Sequence, residues 1–475
     1  MKMKRRNFLK MGAAGCLSSA GGLATSLASF NAFATDTTGY RALVCIFLGG
    51  GSDGHDLMIP YDLASNNSFR DIRGALFQNP RHRRDALTPL QSATSNGSVS
   101  DGREFALSPQ MRDIAELYHN GNAAIIGNVG PLIEPTNSTT FRNGRVALPP
   151  RLFSHNDQQS VWVSSEPEGN AIGWGGRFGD IMAAAGANGN ADFTLVSSSG
   201  TEIFTTGETL NGFSLTNDGG PLINDIRNRN HSSGYEDVLS GLSLNDLPIE
   251  HQQLFRRDLR NISATGIENS QMMRELFSSG VGVNTVFPNP EGGSGLAQQL
   301  RSVATVIANR RTLGAEGGGM NRQVFFLRHN VNYDTHSGQV DALPAHHQEL
   351  NDAINAFYNE TVSLGVADSV TTFTASEFGR TLTPNNSGTD HGWGNHHIVV
   401  GGAVNGGQIL GEIPEAAVGH SQDTSRGRLI PDVAVDQFAF SLARWFGLTE
   451  SQAMDVLPNA RNFDFRALNG LFNGI

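Results

Sequence analysis

Lysine is absent from this 475-residue chain beyond residue 10, because its three lysines are Lys2, Lys4 and Lys10. The missing amine excludes a Schiff-base lysine, a lysine-containing phosphate loop and a lysine general base from the rest of the chain. Cysteine is nearly as scarce, since only Cys45 follows the first 34 residues. Residues 35–475 therefore cannot form an internal disulfide, and their stability must come from packing or from bound metal.

Long apolar runs are also missing after residue 34, so no later segment is expected to span a bilayer. The formal net charge of the chain is −11, and residues 1–34 hold five basic and no acidic side chains, so the remainder carries −16. Such an acidic surface disfavours nucleic acid and anionic lipid as partners. We therefore expect no nucleic-acid partner and no stable membrane insertion of the processed protein.

The N-terminus has the pattern of an export signal. Arg5 and Arg6 precede a mildly apolar stretch rich in Ala, Gly and Ser, which ends at Ala32-Phe33-Ala34, a small-x-small cleavage pattern. Paired arginines before such a stretch resemble a twin-arginine signal. We expect a signal peptide over residues 1–34, the twin-arginine export machinery as a partner, and a periplasmic or extracellular location. A membrane anchor is the alternative, which the shortness and the Gly and Ser content disfavour.

Short apolar runs alternate with helical patterns in residues 35–475, which favours a doubly wound α/β fold. The runs with the length and composition of buried strands are 41–48, 123–129, 193–197, 324–328, 370–375 and 397–401. Apolar residues recur at helical spacing within 296–307, 343–364 and 431–446. Residues of about 200–295 are rich in Asn, Ser and Gly, and we expect them to form a helical insertion or cap over the open end of the sheet.

Polar clusters rich in His, Asp and Gly follow or precede several of these strands. They read GGGSDGHD (49–56), LFSHNDQQ (152–159), HNVNYDTHSGQ (329–339), TASEFGRT (374–381) and GTDHGWGNHH (388–397). Ligands of open α/β sheets bind beyond the carboxyl ends of the strands, and His nitrogens and carboxylate oxygens are ligands of zinc and related ions. The clusters therefore predict a shared metal site. Taken singly, each one is equally typical of a polar turn.

The order of these motifs resembles a widespread family of twin-arginine-exported bacterial proteins known as domain of unknown function 1501 (DUF1501). That family is grouped with the alkaline phosphatase and sulfatase superfamily. The resemblance implies a three-layer α/β/α domain over residues 35–475, with a mostly parallel central sheet. It also implies a metal-assisted site in which a Ser, Thr or Cys is the nucleophile.

The resemblance also implies roles for individual residues. Ser154 resembles the nucleophile, and His155 lies beside it. The residues that resemble metal ligands are Asp53, Asp334, His336, Glu377, Asp390, His391 and His396, with His391 and His396 as alternatives for the last position. The sequence departs from the superfamily pattern at one point, because the Asp-His pair expected after the 370–375 strand reads Glu377-Phe378, and a Phe side chain cannot bind metal.

These residues would permit hydrolysis of a phosphate or sulfate ester. Two divalent ions about 4 Å apart can clamp a tetrahedral anion, and Arg380 could hold one of its oxygens in bidentate fashion. These residues could hold either one ion or two. The histidines favour zinc, and the carboxylates also allow calcium, magnesium or manganese. The expected substrate is a small-molecule or polymeric ester.

Two other readings stay open at this point. A non-catalytic binding or scaffold protein of the cell envelope on the same fold is favoured by the Glu377-Phe378 departure. A dinucleotide site is raised by the spacing of Gly49, Gly51 and Gly54 after a strand. Asp53 would face a pyrophosphate in that site, and Pro60 would interrupt the required helix, so this second reading is disfavoured.

Overall fold

The computed structural model describes residues 35–78, 80–221, 254–288, 293–313 and 318–473. The predicted signal peptide, residues 1–34, lies outside the described residues. Within them, the strands are β1 Arg41–Phe47, β2 Met58–Pro60, β3 Thr88–Pro89, β4 Phe105–Leu107, β5 Ala123–Gly130, β6 Leu195–Ser197, β7 Phe213–Ser214, β8 Arg322–Arg328, β9 Val370–Ala375, β10 Arg380–Asn385, β11 Gly388–His391, β12 Asn395–Val400, β13 Ile409–Leu410 and β14 Val433–Ala434.

Helices separate most of these strands. In the described part of the chain they are α1 Gly54–Leu57, α2 Leu63–Arg73, α3 Arg112–His119, α4 Ser138–Arg142, α5 His155–Ser164, α6 Trp174–Ala184, α7 Leu254–Ser279, α8 Leu296–Ala308, α9 Gln339–Ser363, α10 Val435–Phe446 and α11 Glu450–Val456. The apolar spacing that predicted helices before β8 and β9 corresponds to α8 and α9, and the third predicted helix corresponds to α10.

Nine strands of the described residues form a mixed sheet at the centre of the molecule. Its order is β13-β5-β12-β9-β1-β8-β6-β7, with β14 paired to β5. All six predicted strands lie in this sheet, and every pairing in it is parallel except those of β12. β12 runs antiparallel because the hairpin β10–β11, not a crossover helix, connects it to β9, so the chain re-enters the sheet at the edge where it left.

Successive side chains of β1 point into two separate hydrophobic clusters. Leu43, Cys45 and Phe47 pack with residues of α5, α6, α10 and α11. The alternate residues of β1, such as Val44, pack with residues of α3, α8 and α9. Because side chains alternate across a strand, the sheet has a helical layer on each face. The predicted three-layer α/β/α architecture with a mostly parallel sheet is confirmed.

The predicted insertion of about 200–295 is described only in part. Helix α7 packs Met273 fully buried against the hydrophobic cluster that contains α8 and α9, and Asn284 donates its backbone N–H to Glu360 near the end of α9. Since α9 ends where β9 begins, this contact lies at the amino ends of the strands. Residues 222–253 and 289–292 lie outside the described residues, so a cap over the opposite edge stays a prediction.

The 25-residue helix α9 packs against the sheet. Helix α9 buries Leu343, Leu350 and Ile354 against the sheet. Among the described residues, no helix combines the length and the apolar character needed to cross a membrane.

Candidate metal centre

Three of the polar clusters meet because their strands are neighbours. The strands β9, β1 and β8 lie side by side and parallel, so the loops that follow them, near Gly50, Asp334 and Glu377, leave the sheet at one edge. The start of β12 lies at the same edge, since β12 is antiparallel to β9. The hairpin β10–β11 therefore also reaches this edge, as the sequence predicted for its His and Asp residues.

His155, Asp334 and His391 form a group of potential metal ligands, which we call the metal-ligand group. One ligand atom from each lies within 4.8 Å of the other two. Nε2 of His391 is 3.2 Å from Oδ1 of Asp334, and Nε2 of His155 is 3.5 Å from Oδ2. All three side chains are partly exposed, so the group is accessible from solvent.

Glu377 fixes the orientation of His155. Nδ1 of His155 lies 2.8 Å from Oε1 of Glu377, and the buried carboxylate also accepts the backbone N–H of Gly50 at 2.8 Å. A carboxylate only accepts hydrogen bonds, so the imidazole donates its Nδ1–H. This hydrogen bond raises the pKa of His155. Nε2, on the other side of the ring, faces Asp334. The sequence predicted Glu377 as a direct metal ligand, and the structure places it behind His155 instead.

A backbone carbonyl plays the same part for His391. Nδ1 of His391 donates to the carbonyl oxygen of Phe153 at 2.7 Å, which leaves Nε2 without a proton in the neutral ring. Phe153 has a φ of 73° and Arg151 a φ of 44°, a backbone conformation that side chains rarely adopt. The strained turn before α5 thus presents the carbonyl to His391. Burial lowers the pKa of His391, which favours the neutral ring.

The donor set fits a divalent cation. The Nε2 atoms of His155 and His391 converge on the carboxylate of Asp334, and in a neutral ring that donates its Nδ1–H each Nε2 has a lone pair that can bind a cation. Metal-binding histidines almost always donate their other ring N–H to a carboxylate or a carbonyl, as both do here. Two histidines and one carboxylate also leave coordination positions open, as in catalytic zinc sites.

His336 adjoins the metal-ligand group on its exposed side. Its Nε2 lies 3.0 Å from Nε2 of His391 and 3.0 Å from Oδ1 of Asp334. Its Nδ1 lies 3.5 Å from Asp390, whose carboxylate is paired with Arg426 at 2.7 Å. His336 thus contacts two members of the metal-ligand group without belonging to it, and the side-chain contacts of Asp390 in the described residues are with Arg426, His336 and Asn385.

Phe378, the residue that departs from the superfamily pattern, packs against both imidazoles. Its ring centroid is 4.9 Å from that of His155 and 4.6 Å from that of His391. Gly51 has a φ of 76°, and a Cβ there would lie 2.2 Å from the Phe378 ring. The glycine loop after β1 thus makes room for the ring that supports the two histidines.

Arg380 supports Asp334 and has little freedom to hold a substrate. It is buried, and its Nη1 donates to Oδ1 of Asp334 at 2.8 Å and to the carbonyl of Gly50. Its Nε and Nη2 donate to Thr389. Partial burial raises the pKa of Asp334, but the hydrogen bond and charge of Arg380 outweigh it and lower that pKa. The sequence predicted that Arg380 would bind an ester oxygen in bidentate fashion. In the structure its guanidinium instead binds Asp334, a member of the metal-ligand group.

Asp53 lies in a second, buried set of polar residues, the inner cluster, which we define as Asp53, Arg73, His55 and His396. Arg73 donates to both carboxylate oxygens of Asp53 at 2.7 Å, and Gln339 donates to Oδ2 at 2.5 Å. Burial raises the pKa of Asp53, but the charge of Arg73 reverses this and lowers it. The structure does not bring Asp53 into the metal-ligand group, because its oxygens are engaged by a guanidinium.

His396 also faces the inner cluster. Its Nδ1 accepts the backbone N–H of Asn128 at 3.0 Å, and its ring lies 5.3 Å from that of His55. Burial lowers the pKa of His396 to about 4. Of the two histidines proposed for the last ligand position, His391 lies in the metal-ligand group and His396 does not.

Ser154 precedes α5, but its hydroxyl donates to Oδ2 of Asp157 at 2.7 Å. In the described part of the chain, no hydrogen bond joins that hydroxyl to His155, Asp334 or His391. The structure therefore places the predicted nucleophile next to the group in the chain without a direct contact to it.

Sequence reasoning missed the residues that orient the site from behind. The Phe153 carbonyl has no side-chain signal, because any residue could supply it. Gln339 connects the inner cluster to the metal-ligand group through hydrogen bonds. It donates to Asp53 and accepts the hydroxyl of Thr389 at 2.8 Å. Thr389 in turn accepts from Arg380, which donates to Asp334. The structure lacks the long helix that a dinucleotide site would require after Gly54, because α1 has only four residues before β2 begins.

Comparison with known proteins gives one family match. Residues 290–457 match a family described as "Protein of unknown function (DUF1501)". No curated protein sequence matches the chain.

Two solved structures are distantly similar to the chain. "Crystal structure of Ps i-CgsB" is 8% identical with a TM-score of 0.36, covering 90% of this chain and 77% of that one. "Crystal structure of PsFucS1 sulfatase from Pseudoalteromonas sp." is 10% identical with a TM-score of 0.34, covering 92% and 73%. The stretch that matches the DUF1501 family, residues 290–457, includes Asp334, Glu377 and His391.

Proposed function

We propose that the protein is a metal-dependent hydrolase of phosphate or sulfate esters. The observation that carries the proposal is the convergence of three ligand atoms, from His155, Asp334 and His391, within 4.8 Å of one another. Both imidazoles donate Nδ1–H to fixed acceptors, Glu377 and the Phe153 carbonyl. A site prepared in this way, partly open to solvent, is typical of catalytic rather than structural metal centres.

The roles of the chain's residues follow from their contacts. His155, His391 and Asp334 would hold the ion, Glu377 orients His155, and Arg380 holds Asp334 in place. A divalent ion bound there would supply Lewis-acid activation of water and of an ester oxygen. The closed hydrogen-bond sets behind each ligand keep these side chains in place before a substrate arrives.

Cationic side chains beside the group favour an anionic substrate. Arg428 donates its Nε to the carbonyl of His391 at 2.8 Å, and its guanidinium lies 5.1 Å from the ring centroid of Phe153. Arg426 is half-exposed and paired with Asp390. Guanidinium groups recognise the oxygens of phosphate and sulfate well, so these two arginines are placed to attract a charged ester.

Water is the nucleophile in this proposal, because the Ser154 hydroxyl donates to Asp157. Ser154→Ala should keep the metal and most of the hydrolytic activity. Complete loss of activity in a metal-loaded Ser154→Ala protein would restore the serine as the nucleophile that the resemblance implies.

The proposal is tested with purified protein loaded in turn with zinc, calcium, magnesium and manganese. Metal content is measured first, and hydrolysis of an aryl phosphate, an aryl phosphodiester and an aryl sulfate is then followed. We expect one ion per chain and turnover of at least one ester, both lost in His391→Asn. Metal-loaded protein that hydrolyses none of the esters would contradict the proposal.

A non-catalytic metal-binding protein of the cell envelope is the second candidate. It is favoured by one observation: the predicted nucleophile, Ser154, and the predicted substrate clamp, Arg380, are both engaged inside the protein. Stoichiometric metal without turnover of any ester would select it over the hydrolase.

We also propose export by the twin-arginine route, on the strength of Arg5, Arg6 and the cleavage pattern at residues 32–34. Fusion of residues 1–40 to a reporter that must fold before export should deliver the reporter outside the cytoplasm. Replacing both arginines by lysine should retain it inside. Export of the variant reporter at the wild-type level would contradict this.

A further inference from the structure

A surface cleft beside α2 contains no residue of the metal-ligand group. It has a volume of about 400 Å³ and is lined by Tyr61, Arg70, Arg83, Arg84 and Asp85. Three guanidinium groups and one carboxylate line it, so positive charge is in excess there. The chain as a whole carries a formal charge of −11, so the local charge of this cleft is opposite in sign to that of the chain.

Arg84 is held in place by Tyr61. Its Nε donates to the Tyr61 carbonyl at 2.5 Å, and its guanidinium carbon lies 4.4 Å from the centroid of the Tyr61 ring. A guanidinium stacked on a ring has already lost much of its rotational freedom, so less is lost when it binds a ligand. In the described residues, its Nη groups have no hydrogen-bond partner.

Arg70 and Arg83 add charge that is available to a ligand. The guanidinium of Arg70 is exposed, with no ion pair or hydrogen bond to any described residue. Arg83 is paired with Asp85 at 2.7 Å, and both side chains are about two-thirds exposed. Such an exposed pair contributes little to stability, so its guanidinium can exchange its partner for a bound anion.

We propose that this cleft binds the phosphate or sulfate group of a small monoester. Guanidinium groups bind such oxyanions through paired N–H donors, and Arg70, Arg83 and Arg84 offer three of them around one space. The volume is at the lower end of the roughly 300–1,000 Å³ usual for ligand pockets, so it suits a group of monosaccharide size. The acidity of the whole chain opposes long polyanions such as nucleic acid. The proposal does not depend on the metal centre.

Calorimetric titration of the full chain, in low salt and with a chelator present, tests the proposal. Glucose 6-phosphate and glucose 6-sulfate are the two probes, and glucose is the uncharged control. We expect at least one ester to bind and glucose not to bind. Arg70→Gln and Arg84→Gln should each weaken binding by about tenfold, as expected for loss of a hydrogen bond to a charged group. The ester that binds more tightly identifies the oxyanion.

Two matched variants locate the binding. Arg112→Gln removes the same charge from an exposed position of α3 and should bind the ester like the wild type. His391→Asn removes a member of the metal-ligand group and should also leave this binding unchanged. Wild-type affinity in the Arg70→Gln/Arg84→Gln double variant, equal binding of glucose, or loss of binding in His391→Asn would each overturn the proposal. Melting temperatures confirm that every variant is folded.

Discussion

The metal-ligand group and the inner cluster lie at the same edge of the sheet and contain the same residue types, yet they differ in what their lone pairs face. In the inner cluster, the Asp53 carboxylate is neutralised by Arg73 and the Nδ1 lone pair of His396 is taken by a backbone N–H. In the metal-ligand group, His155 donates its Nδ1–H to Glu377 and His391 donates its Nδ1–H to the Phe153 carbonyl. The Nε2 atoms of both rings face Asp334. Both carboxylates pair with a buried arginine, Asp53 with Arg73 and Asp334 with Arg380, but Asp334 also has the Nε2 atoms of His155 and His391 within 3.5 Å.

Removing Arg73, the cation of the inner cluster, should have the largest effect on stability. Arg73→Ala leaves the Asp53 charge buried without its partner, since both side chains are fully buried. We expect a loss of about 3–5 kcal/mol in the free energy of unfolding, measured by urea denaturation. Arg83→Ala, which breaks the exposed pair with Asp85, should cost only about 0–1 kcal/mol. Equal losses in the two variants would mean that Asp53 is not held as a buried ion pair.

Matched histidine variants should separate the two sets by metal binding. An asparagine amide can make the hydrogen bond of the imidazole Nδ1 but has no counterpart of Nε2. His391→Asn and His396→Asn therefore make the same chemical change, the loss of Nε2. We expect His391→Asn to weaken zinc binding by more than ~100-fold, since even loss of an outer partner costs up to that much. His396→Asn should bind zinc like the wild type. Zinc titration with a competing chelator measures both, and the reverse order would place the ion in the inner cluster.

The carboxylate behind His155 should have a smaller effect on the same measurement. Glu377→Gln keeps an oxygen that can accept from Nδ1 of His155 but removes the charge. We expect zinc binding to weaken by roughly 10-fold, the low end for an outer partner. Glu349→Gln is the control, because Glu349 lies 3.4 Å from Nε2 of His329, outside the metal-ligand group. Indistinguishable affinities in these two variants would remove Glu377 from the site.

Acid should act on the inner cluster in a defined direction. Burial lowers the pKa of His396 to about 4, below the value of about 6.5 that is usual for an exposed histidine, so between these values the unfolded chain binds a proton that the folded protein does not. Stability should therefore fall as the pH is lowered from about 6.5 to 4. Between pH 7 and pH 5, the free energy of unfolding of His396→Asn should fall by on the order of 1 kcal/mol less than that of the wild type. Urea denaturation at each pH measures this difference. An unchanged pH dependence would mean that His396 is not buried in its neutral form.

Much of the fold could be predicted because its determinants are local. The buried strands β1, β8 and β9 are short and rich in apolar and β-branched residues, and α8, α9 and α10 show helical spacing. The direction of β12 was not predictable from its own residues, because the apolar run 397–401 reads the same in either direction. Only the hairpin before it, formed by β10 and β11, reverses the chain.

The candidate site could be predicted in part, because its residue types are those that bind metals. The sequence named His155, Asp334, His336, Glu377 and His391, which the structure brings together, and also Asp53, which pairs with Arg73. No local pattern distinguishes these outcomes, since Arg73 lies on α2 and reaches Asp53 only when α2 packs beside the sheet edge. The role of Phe378 was also hidden, because it depends on contact with two imidazoles and with Gly51.

The sequence by itself determined the alternation of strands and helices, the absence of lysine chemistry and of an internal disulfide from residues 35–475, and the types of ligand at one sheet edge. These follow from composition, from short apolar runs and from the 3.6-residue periodicity of helices, which are properties of short segments. The tertiary structure alone decided which partners each carboxylate has and which imidazole nitrogen faces it. That choice is made by partners far away in the chain, such as the Phe153 carbonyl for His391 and the Arg73 guanidinium for Asp53.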